Sequence, residues 1–386
     1  MRVDIAVIGR GLVGAAAARH LAELGHDVAL IGPDEPADRV RSAGPFSSHP
    51  DEGRITRIAG RTRVWSELAA RSIARYGDIA QRSGISFHSP RAVAVAVDDA
   101  AGWVQRGAGL GSDVRLVTPE WLRAETGIAL QNGKPVLFEG VPSGWINPRR
   151  LVAAQTRLTE AAGGAVVPHA VDSLTQGTGA LVAAGAWGQV TAARVLVATG
   201  AFGSELLGTE LDVDRRPRTV LLAEAADDPR LPGFICAAPP DERLEEIYWV
   251  PPVMYPDGRR CLKIGGALRH HHWLEPSDLV DWFHSDGSSE EAEALEHTLR
   301  SLLPDTRFTS MATAPCVITG TPTGHPYIGW INDHVAVAIG GNGSAAKSSD
   351  ELGRLAASLF DADGWSDSID PDVFAPVHAG EDRGRG

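Results

Sequence analysis

VDIAVIGRGLVG, residues 3–14, is the stretch that decides the fold of this chain. Its first half, residues 3–8, is continuously apolar apart from one aspartate and predicts a buried strand. Residues 9–14 follow at once as a G-x-G-x-x-G turn. The alanine-rich run 15–24, which Gly25 stops, predicts a helix. Strand, glycine turn and helix in this order predict a dinucleotide-binding βαβ unit.

Three glycines of this turn have separate roles in a nucleotide-binding fold. Gly9 permits the tight turn, Gly11 lets a pyrophosphate approach the backbone, and Gly14 lets the helix pack closely on the strand. The start of the helix adds free N–H groups and the positive end of the helix dipole. A phosphate-bearing cofactor is therefore expected at this turn.

One part of the fingerprint is missing. The second strand, residues 28–31, would normally close with an acidic residue that binds a ribose hydroxyl. Gly32 stands at that place. Asp34 or Glu35 could reach back from the following loop, and the sequence favours neither.

Composition excludes several classes of partner. The chain has 386 residues, of which 43% are hydrophobic and 22% charged, and its net charge is −13. That charge disfavours nucleic acid and anionic membranes as main partners. No apolar run approaches the ~20 residues of a membrane helix, and no signal peptide precedes the first strand. The cysteines form no C-x-x-C pair and no metal set, so a reducing cytoplasm is expected: Cys236, Cys261 and Cys316.

Two later strands end in turns of the same kind. Residues 195–198 form an apolar strand that ends in Thr199-Gly200, and residues 335–339 form another that meets the turn Gly340-Gly341-Asn342-Gly343. Residues 344–360 then predict a closing helix. The nucleotide domain is therefore expected to be discontinuous, since the chain returns to it late.

Together these motifs resemble the flavin-dependent amine oxidases of the D-amino-acid oxidase superfamily, from Asp4 to about Phe360. Within that superfamily, the chain is most similar to monomeric sarcosine oxidase and N-methyltryptophan oxidase. The resemblance implies FAD as cofactor. The residues it implies as cofactor contacts are Gly9, Gly11, Leu12, Val13, Gly14, Thr199, Gly200, Cys316, Gly340, Gly341, Asn342, Gly343 and Lys347.

The implied fold is α/β in class, an α+β two-domain arrangement. A Rossmann-like FAD-binding domain carries an interposed antiparallel-sheet substrate domain. The FAD domain is expected at residues 1–90, 143–210 and 310–365, and the substrate domain at 91–142 and 211–309. The segment 375–386 lacks core residues and is predicted to be a disordered tail.

Residues 53–57, GRITR, are similar to the family's arginine-bearing stretch, without its first threonine. Taken alone, Arg54 and Arg57 would be two solvated surface arginines. The resemblance instead implies that Arg54 lies near the flavin and that Arg57 grips a substrate carboxylate, as guanidinium groups commonly do.

Two lysines carry further parts of the resemblance. Lys263 alternates with Leu262 and Ile264, so it faces the opposite side of a strand. The family places a lysine there beside the flavin, where its charge helps dioxygen accept an electron. Lys347 lies in the first turn of the closing helix, and the resemblance pairs it with Arg57 as a two-cation clamp.

Cys316 begins the stretch CVITGTP, which resembles the segment that carries a thioether to the flavin. A free cysteine is more often an inert core residue, so covalent attachment rests on the resemblance alone. Tyr248 is a candidate aromatic wall for the substrate, although buried aromatics more often belong to the core.

Two departures from the family indicate a changed substrate pocket. Ala267 occupies the place of a family histidine, and Thr323 replaces an acidic residue after the cysteine motif. The histidines at 270–272 come slightly later. They fit a lid, a surface metal patch or a solvated loop, and the sequence does not choose among these.

The implied activity is transfer of a hydride equivalent from a small amine or N-substituted amino acid to the flavin. The imine product hydrolyses, and dioxygen reoxidises the cofactor to give hydrogen peroxide. Two alternatives stay open: a dehydrogenase that passes electrons to a quinone or protein carrier, and a flavin-binding subunit without turnover. The oligomeric state and the identity of the amine are not determined by the sequence.

Overall fold

The computed structural model describes residues 1–130, 133–177, 179–270 and 272–380. The strands are β1 Arg2–Ile8, β2 Val28–Ile31, β3 Arg54–Thr56, β4 His88–Pro90, β5 Val93–Ala96, β6 Val114–Val117, β7 Val136–Glu139, β8 Gly144–Ile146, β9 Ala165–Val167, β10 Ser173–Gly177, β11 Ala180–Gly185, β12 Gly188–Val197, β13 Asp214–Glu224, β14 Gly233–Cys236, β15 Leu244–Met254, β16 Arg260–Leu268, β17 Met311–Gly320, β18 Tyr327–Trp330 and β19 Val335–Ile339.

The α-helices are α1 Leu12–Glu23, α2 Arg63–Ser83, α3 Ala100–Ala108, α4 Pro119–Thr126, α5 Pro148–Ala161, α6 Leu279–His284, α7 Ser289–Leu302 and α8 Ala345–Ser358. Short 3₁₀ turns lie at Ser204–Leu207, Pro276–Asp278 and Pro371–Phe374. Three helices begin with a side-chain cap, since the side chains of Thr62, Thr118 and Asn147 accept backbone N–H groups of the first turn. No helix among the described residues is both long enough and apolar enough to cross a bilayer.

The first sheet brings the glycine turns together. Its order is β10-β11-β12-β1-β2-β9, and β19 pairs with β12 while β18 pairs with β19. Strands β12, β1, β2 and β19 run parallel, with Ile8 opposite both Ile31 and Val197, and Val197 opposite Val337. Their carboxyl ends therefore lie at one edge, which is where open α/β sheets bind ligands. This confirms the α/β fold with a Rossmann-like unit.

A second sheet covers that edge. Its order is β17-β13-β16-β15-β14-β5-β7-β6, and all of its pairings are antiparallel except that of β14 with β5. Leu262 and Ile264 of β16 pack into the core under α7, while Lys263 faces the opposite side, as the alternation predicts. A small sheet of β3, β8 and β4 lies beside it and carries Arg54.

Two expectations about the chain's organisation need correction. Strand β17, placed by the sequence in the FAD domain, pairs along its whole length with β13 of the second sheet. The segment from residue 375 to residue 380 is not a disordered tail. Val377 is buried, and His378 forms a bridge with Leu211. Residues 381–386 lie outside the described residues, and the domain division remains a prediction.

Helix α8 is fixed by a buried ion-pair cluster. Asp350 is fully buried and accepts hydrogen bonds from Arg19 of α1 at 2.6 Å and from Gln155 of α5 at 2.9 Å. Arg75 of α2 donates to its second oxygen. Because Lys347 lies one turn earlier on the same helix, this cluster also holds the position of that lysine.

Replacement of Asp350 by alanine should therefore lower the unfolding free energy by about 3–5 kcal/mol, since it leaves buried arginines without a counter-ion. The measurement is chemical denaturation. Asp78→Ala, which removes an exposed partner of Arg82, is the matched control and should cost under about 1 kcal/mol. Equal losses in the two variants would contradict this role for Asp350.

At the glycine turn of residues 9–14, backbone segments lie too close together for a side chain at two of the three glycines. Gly9 has φ +115°, and a Cβ built there would lie 2.3 Å from the carbonyl oxygen of Ala198. A Cβ on Gly14 would lie 1.8 Å from the carbonyl oxygen of Gly9, whereas a Cβ on Gly11 would meet nothing within 4 Å. Gly9 and Gly14 are thus required by the fold, and Gly11 is not.

Gly14→Ala should accordingly destabilise the protein by at least about 2 kcal/mol, because the added methyl overlaps the backbone. Gly11→Ala should leave the unfolding free energy within about 0.5 kcal/mol of wild type. Thermal and urea unfolding of the two variants checks this. A fully stable Gly14→Ala protein would show that the turn is not packed as described.

Candidate functional site

A cavity of about 1070 Å³ opens at the edge where the parallel strands of the first sheet end. All three glycine turns line it, and so do the loop before β3, the start of α2 and the cavity-facing residues of β13 and β15. The cofactor residues predicted from sequence that line it are Gly9, Gly11, Leu12, Val13, Thr199, Gly200, Gly340, Gly341, Asn342, Gly343 and Lys347. Gly14 lies behind them in the packed turn.

The turn of residues 9–14 fits a diphosphate. Gly11 is the N-cap of α1, and its position leaves the first N–H groups of the helix without a side-chain cap. The space next to its α-carbon is open. Uncapped donors at the positive end of a helix, beside open space, are what a phosphate group requires.

The adenosine end differs from the usual fingerprint for a steric reason. A Cβ on Gly32 would lie 2.5 Å from the backbone nitrogen of Arg10, so the acidic residue expected at this position does not fit. Asp34 lines the cavity and pairs with Arg10, whereas Glu35 turns away to Arg149 at 2.7 Å. Of the two candidates, Asp34 is the acid at the cavity.

Asn342 holds the third glycine turn in place. Its side-chain oxygen accepts the backbone N–H of Thr321 at 3.0 Å, and its nitrogen donates to the carbonyl of Gly340 at 2.8 Å. These bonds join the start of α8 to the loop after β17. Lys347 is thereby brought to the same cavity as the first turn.

Arg57 is buried, with 8% of its surface exposed, and lines the cavity. Its guanidinium lies 4.6 Å from the ring centre of Trp103 and donates to the carbonyl of Ala59. Burial lowers its pKa to about 10, although Glu139 acts in the opposite direction. Glu139 itself accepts the backbone N–H groups of Ile58 and Ala59, at 2.7 and 3.1 Å.

Lys347 is 5% exposed and lies against Trp65, with Nζ 5.3 Å from the ring centre. Nζ donates to the carbonyl of Ser344 at 3.2 Å. Burial, followed by the charge of Arg57, holds its pKa well below the ordinary value. The structure therefore brings Lys347 and Arg57 together, as the resemblance implies.

The remaining cations of the cavity are mostly neutralised. In the described part of the chain, seven lysine and arginine side chains line it: Arg10, Arg54, Arg57, Arg61, Arg216, Arg218 and Lys347. Four of these have a carboxylate partner, namely Asp34, Asp51, Glu246 and Asp214 in turn. Arg57, Arg218 and Lys347 form no ion pair with any described carboxylate and are 8%, 8% and 5% exposed.

Sequence reasoning missed several residues around this clamp. Trp65 and Trp103 lie against the two cations, and the ring of His325 stacks on Trp65 at 6.0 Å. His325 lines the cavity, and burial lowers the pKa of its imidazole. Arg218 is the third cation without an acidic partner. None of these belongs to a recognisable motif, so only the folded chain identifies them.

A second group of predicted residues lies at the wall formed by the second sheet. Arg54 and Tyr248 line the cavity, whereas Lys263 and Cys316 lie just behind that lining. Arg54 donates to the sulfur of Cys316 at 3.9 Å and to the carbonyl of Ser48 at 2.8 Å. Burial raises the pKa of Tyr248. The four residues are thus neighbours, but only two of them face the cavity.

The departures from the family pattern fall in two places. Ala267 is buried in β16. Thr323 lines the cavity, where its hydroxyl donates to the carbonyl of His325 at 3.1 Å. Of the histidine triplet, His271 lies outside the described residues, and no metal-binding cluster occurs among those that are described.

Comparisons with known proteins agree with this geometry. The family model DAO, described as FAD dependent oxidoreductase, matches residues 4–359. Among curated protein sequences, none is similar enough to count as a match.

Solved structures show the same fold at low sequence identity. NikD, described as an unusual amino acid oxidase essential for nikkomycin biosynthesis, has a TM-score of 0.76 at 19% identity, with 98% of each chain covered. L-proline dehydrogenase from P. horikoshii has a TM-score of 0.74 at 16% identity, covering 97% of this chain and 96% of that one. Glycine oxidase from Geobacillus kaustophilus has a TM-score of 0.71 at 18% identity, covering 97% and 98%.

The family match spans nearly the whole chain, and the uncapped helix start beside Gly11 fits the diphosphate of the family's cofactor. The chain therefore belongs to the DAO family of FAD-dependent oxidoreductases.

Proposed function

We propose that the protein oxidises the C–N bond of a small amine or amino acid that carries a carboxylate. The observation that supports this most directly is the pair of buried cations, Arg57 and Lys347, in the FAD cavity without a described carboxylate partner. A buried charge without a counter-ion is costly by several kcal/mol. A substrate carboxylate would supply the missing charge and would be oriented by two fixed donors.

The reaction balances as a two-electron oxidation. The substrate loses a hydrogen from carbon and one from nitrogen and becomes an imine, which water hydrolyses. FAD, when bound, accepts the two electrons, and dioxygen takes them up with two protons as hydrogen peroxide. No motif supplies a strong general base, so the residues of this chain act chiefly by orienting the substrate and by placing charge.

Individual side chains have distinct roles in this proposal. Arg57 and Lys347 bind the carboxylate, with Trp65 and Trp103 excluding water from it. Tyr248 forms part of the wall at the second sheet. Arg54 and Lys263 place positive charge beside the flavin, where Lys263 favours electron transfer to dioxygen.

The finer resemblance to sarcosine oxidase remains part of the proposal. Ala267 and Thr323 differ from that pattern, so the group on the substrate nitrogen is expected to differ as well. Three of the similar structures are titled as amino acid, glycine and iminodiacetate oxidases, which is compatible with a carboxylated amine. We also expect a reducing compartment, because three buried cysteines are unpaired.

A dehydrogenase is the second candidate, and one observation favours it. One similar structure, that of L-proline dehydrogenase, is described as a dehydrogenase. Anaerobic reduction by substrate, followed by timed exposure to air, distinguishes the two. Rapid reoxidation with stoichiometric peroxide indicates an oxidase, and absence of any reduction by amines would leave the flavin-binding subunit.

Arg57→Met should weaken the binding of an unreactive carboxylate such as propionate by about 10- to 100-fold, since a charge-assisted hydrogen bond is lost. The measurement is perturbation of the flavin absorbance, together with the KM for the best amine found. Arg61→Met, which removes a cavity arginine already paired with Glu246, is the control and should change binding less than about threefold.

Arg57→Met should also raise KM far more than Arg54→Met does. Binding should weaken with rising pH as Lys347 loses its proton, and this dependence should disappear in Lys347→Met. Equal effects of the two arginine substitutions, or an unchanged pH profile, would contradict the clamp.

We further propose that Cys316 carries the flavin through a thioether. Its sulfur lies beside Arg54 at the cavity wall, although burial is also what an inert cysteine would show. Acid precipitation should leave yellow colour in the pellet of wild type and release it to the supernatant in Cys316→Ser. The control is Cys236→Ser, a buried cysteine that does not itself line the cavity. Flavin in the wild-type supernatant would exclude the linkage.

A further inference from the structure

Lys263 is enclosed by groups from several parts of the fold. Only 1% of its side chain is exposed, and Nζ donates to a carboxylate oxygen of Asp51 and to the carbonyl of Gly53. The ring of Tyr248 lies 5.6 Å from Nζ. The ammonium therefore has one carboxylate, one carbonyl and one aromatic face as neighbours, and its side chain is almost completely enclosed.

Asp51 is held in place independently of Lys263. Its oxygens accept the guanidinium of Arg54 at 2.9 Å, the hydroxyl of Tyr255 at 3.2 Å and the backbone N–H of Glu52 at 2.8 Å. Next to it, a Cβ on Gly53 would lie 2.7 Å from a methyl of Val250. This contact keeps the Gly53 carbonyl close to β15 and directed at the lysine.

The two buried lysines near the cavity, Lys263 and Lys347, can be compared in their pKa shifts and in their contacts. Burial lowers the pKa of Lys263 to about 8, with Asp51 opposing and Arg54 reinforcing the decrease. Lys347, equally buried but without a carboxylate in contact, has its pKa held well below its ordinary value. The two lysines thus differ in their contacts, because among the described residues only Lys263 has a carboxylate, that of Asp51, within ion-pair distance.

We propose that Asp51 is a positioning residue that keeps Lys263 protonated and its Nζ fixed behind the flavin-facing wall. The expected effect on the reaction with dioxygen rests on the proposed function, whereas the ion pair between Asp51 and Lys263 does not. The titratable groups around Lys263 and Asp51 are Asp51 itself from the loop, Arg54 from β3, Tyr248 from β15, Tyr255 from the turn after it and Cys316 from β17. Asp51 is the acid among them.

The low lysine content of the chain allows the protonation state of Lys263 to be measured directly. Of its 36 lysine and arginine residues, only three are lysines: Lys134, Lys263 and Lys347. Protein labelled with ¹³C at the lysine ε-carbon therefore gives three signals, and Lys134, 56% exposed, serves as the reference. Substitution of each lysine by arginine assigns them. The holoenzyme is titrated with its flavin oxidised and no substrate present.

In wild type, the Lys263 signal should titrate near pH 8. In Asp51→Asn, its midpoint should fall by one pH unit or more, a tenfold or larger change in the acid dissociation constant. Asp51→Ser gives the same information if Asp51→Asn fails to fold. Asp51→Glu, which keeps the charge, should restore most of the midpoint.

Glu52→Gln is the matched control, because the neighbouring carboxylate binds Asn147 and Arg149 instead of the lysine. It should leave the Lys263 midpoint unchanged. A Lys263 midpoint that is the same in wild type and Asp51→Asn would overturn the proposal. So would an equal shift in Glu52→Gln, which would indicate a general loosening of the loop.

The effect of Asp51 on reoxidation of the flavin by dioxygen is measured in a separate experiment. The rate of reoxidation by dioxygen should fall above about pH 8 in wild type, and this fall should move to lower pH in Asp51→Asn. If the Lys263 midpoint shifts but reoxidation does not follow it, Asp51 holds the lysine and the role of Lys263 toward dioxygen is wrong. If amines are not oxidised at all, the titration still decides the role of Asp51.

Discussion

The contact between Gly14 and the carbonyl of Gly9 is the constraint from which the rest of the site follows. It sets how closely α1 approaches the ends of β1 and β12, and therefore where the uncapped start of the helix lies. The parallel register of β1, β2, β12 and β19 then fixes the other turns at the same edge. The positions of Asp34, Thr199 and Lys347 relative to the cofactor are consequences of this backbone geometry.

The cations that line the cavity differ in whether they have an acidic partner. Arg54 and Arg61 are each paired with an acid, whereas Arg57 and Lys347, the proposed clamp, lie against tryptophans. Ring faces attract a cation weakly and leave its hydrogen-bond donors available. Under the proposed function, this arrangement would keep the two charges desolvated and available to a substrate carboxylate.

The glycine turns, the two-domain class and the side of β16 on which Lys263 lies could all be predicted, since each depends on local periodicity or on steric rules for glycine. The partners of those residues could not. Asp51 reaches Lys263 only through the conformation of a loop, and no sequence spacing specifies that distance. The steric exclusion of an acid at Gly32 likewise depends on where Arg10 lies. The tail prediction is wrong for residues 375–380, because composition does not reveal that Val377 packs beside Leu211.

The order of strands has a consequence for biosynthesis. Strand β12 lies between β1, residues 2–8, and β19, residues 335–339, so the two strands that flank it are more than 300 residues apart in sequence. A ribosome-bound intermediate that lacks residues 335–358 has neither the last parallel strand nor the helix that carries Lys347. Its cofactor edge would be incomplete, and strand pairing across so long a separation is slow to form. A complete cofactor edge is therefore expected only after β19 has paired with β12 and the helix that carries Lys347 has packed.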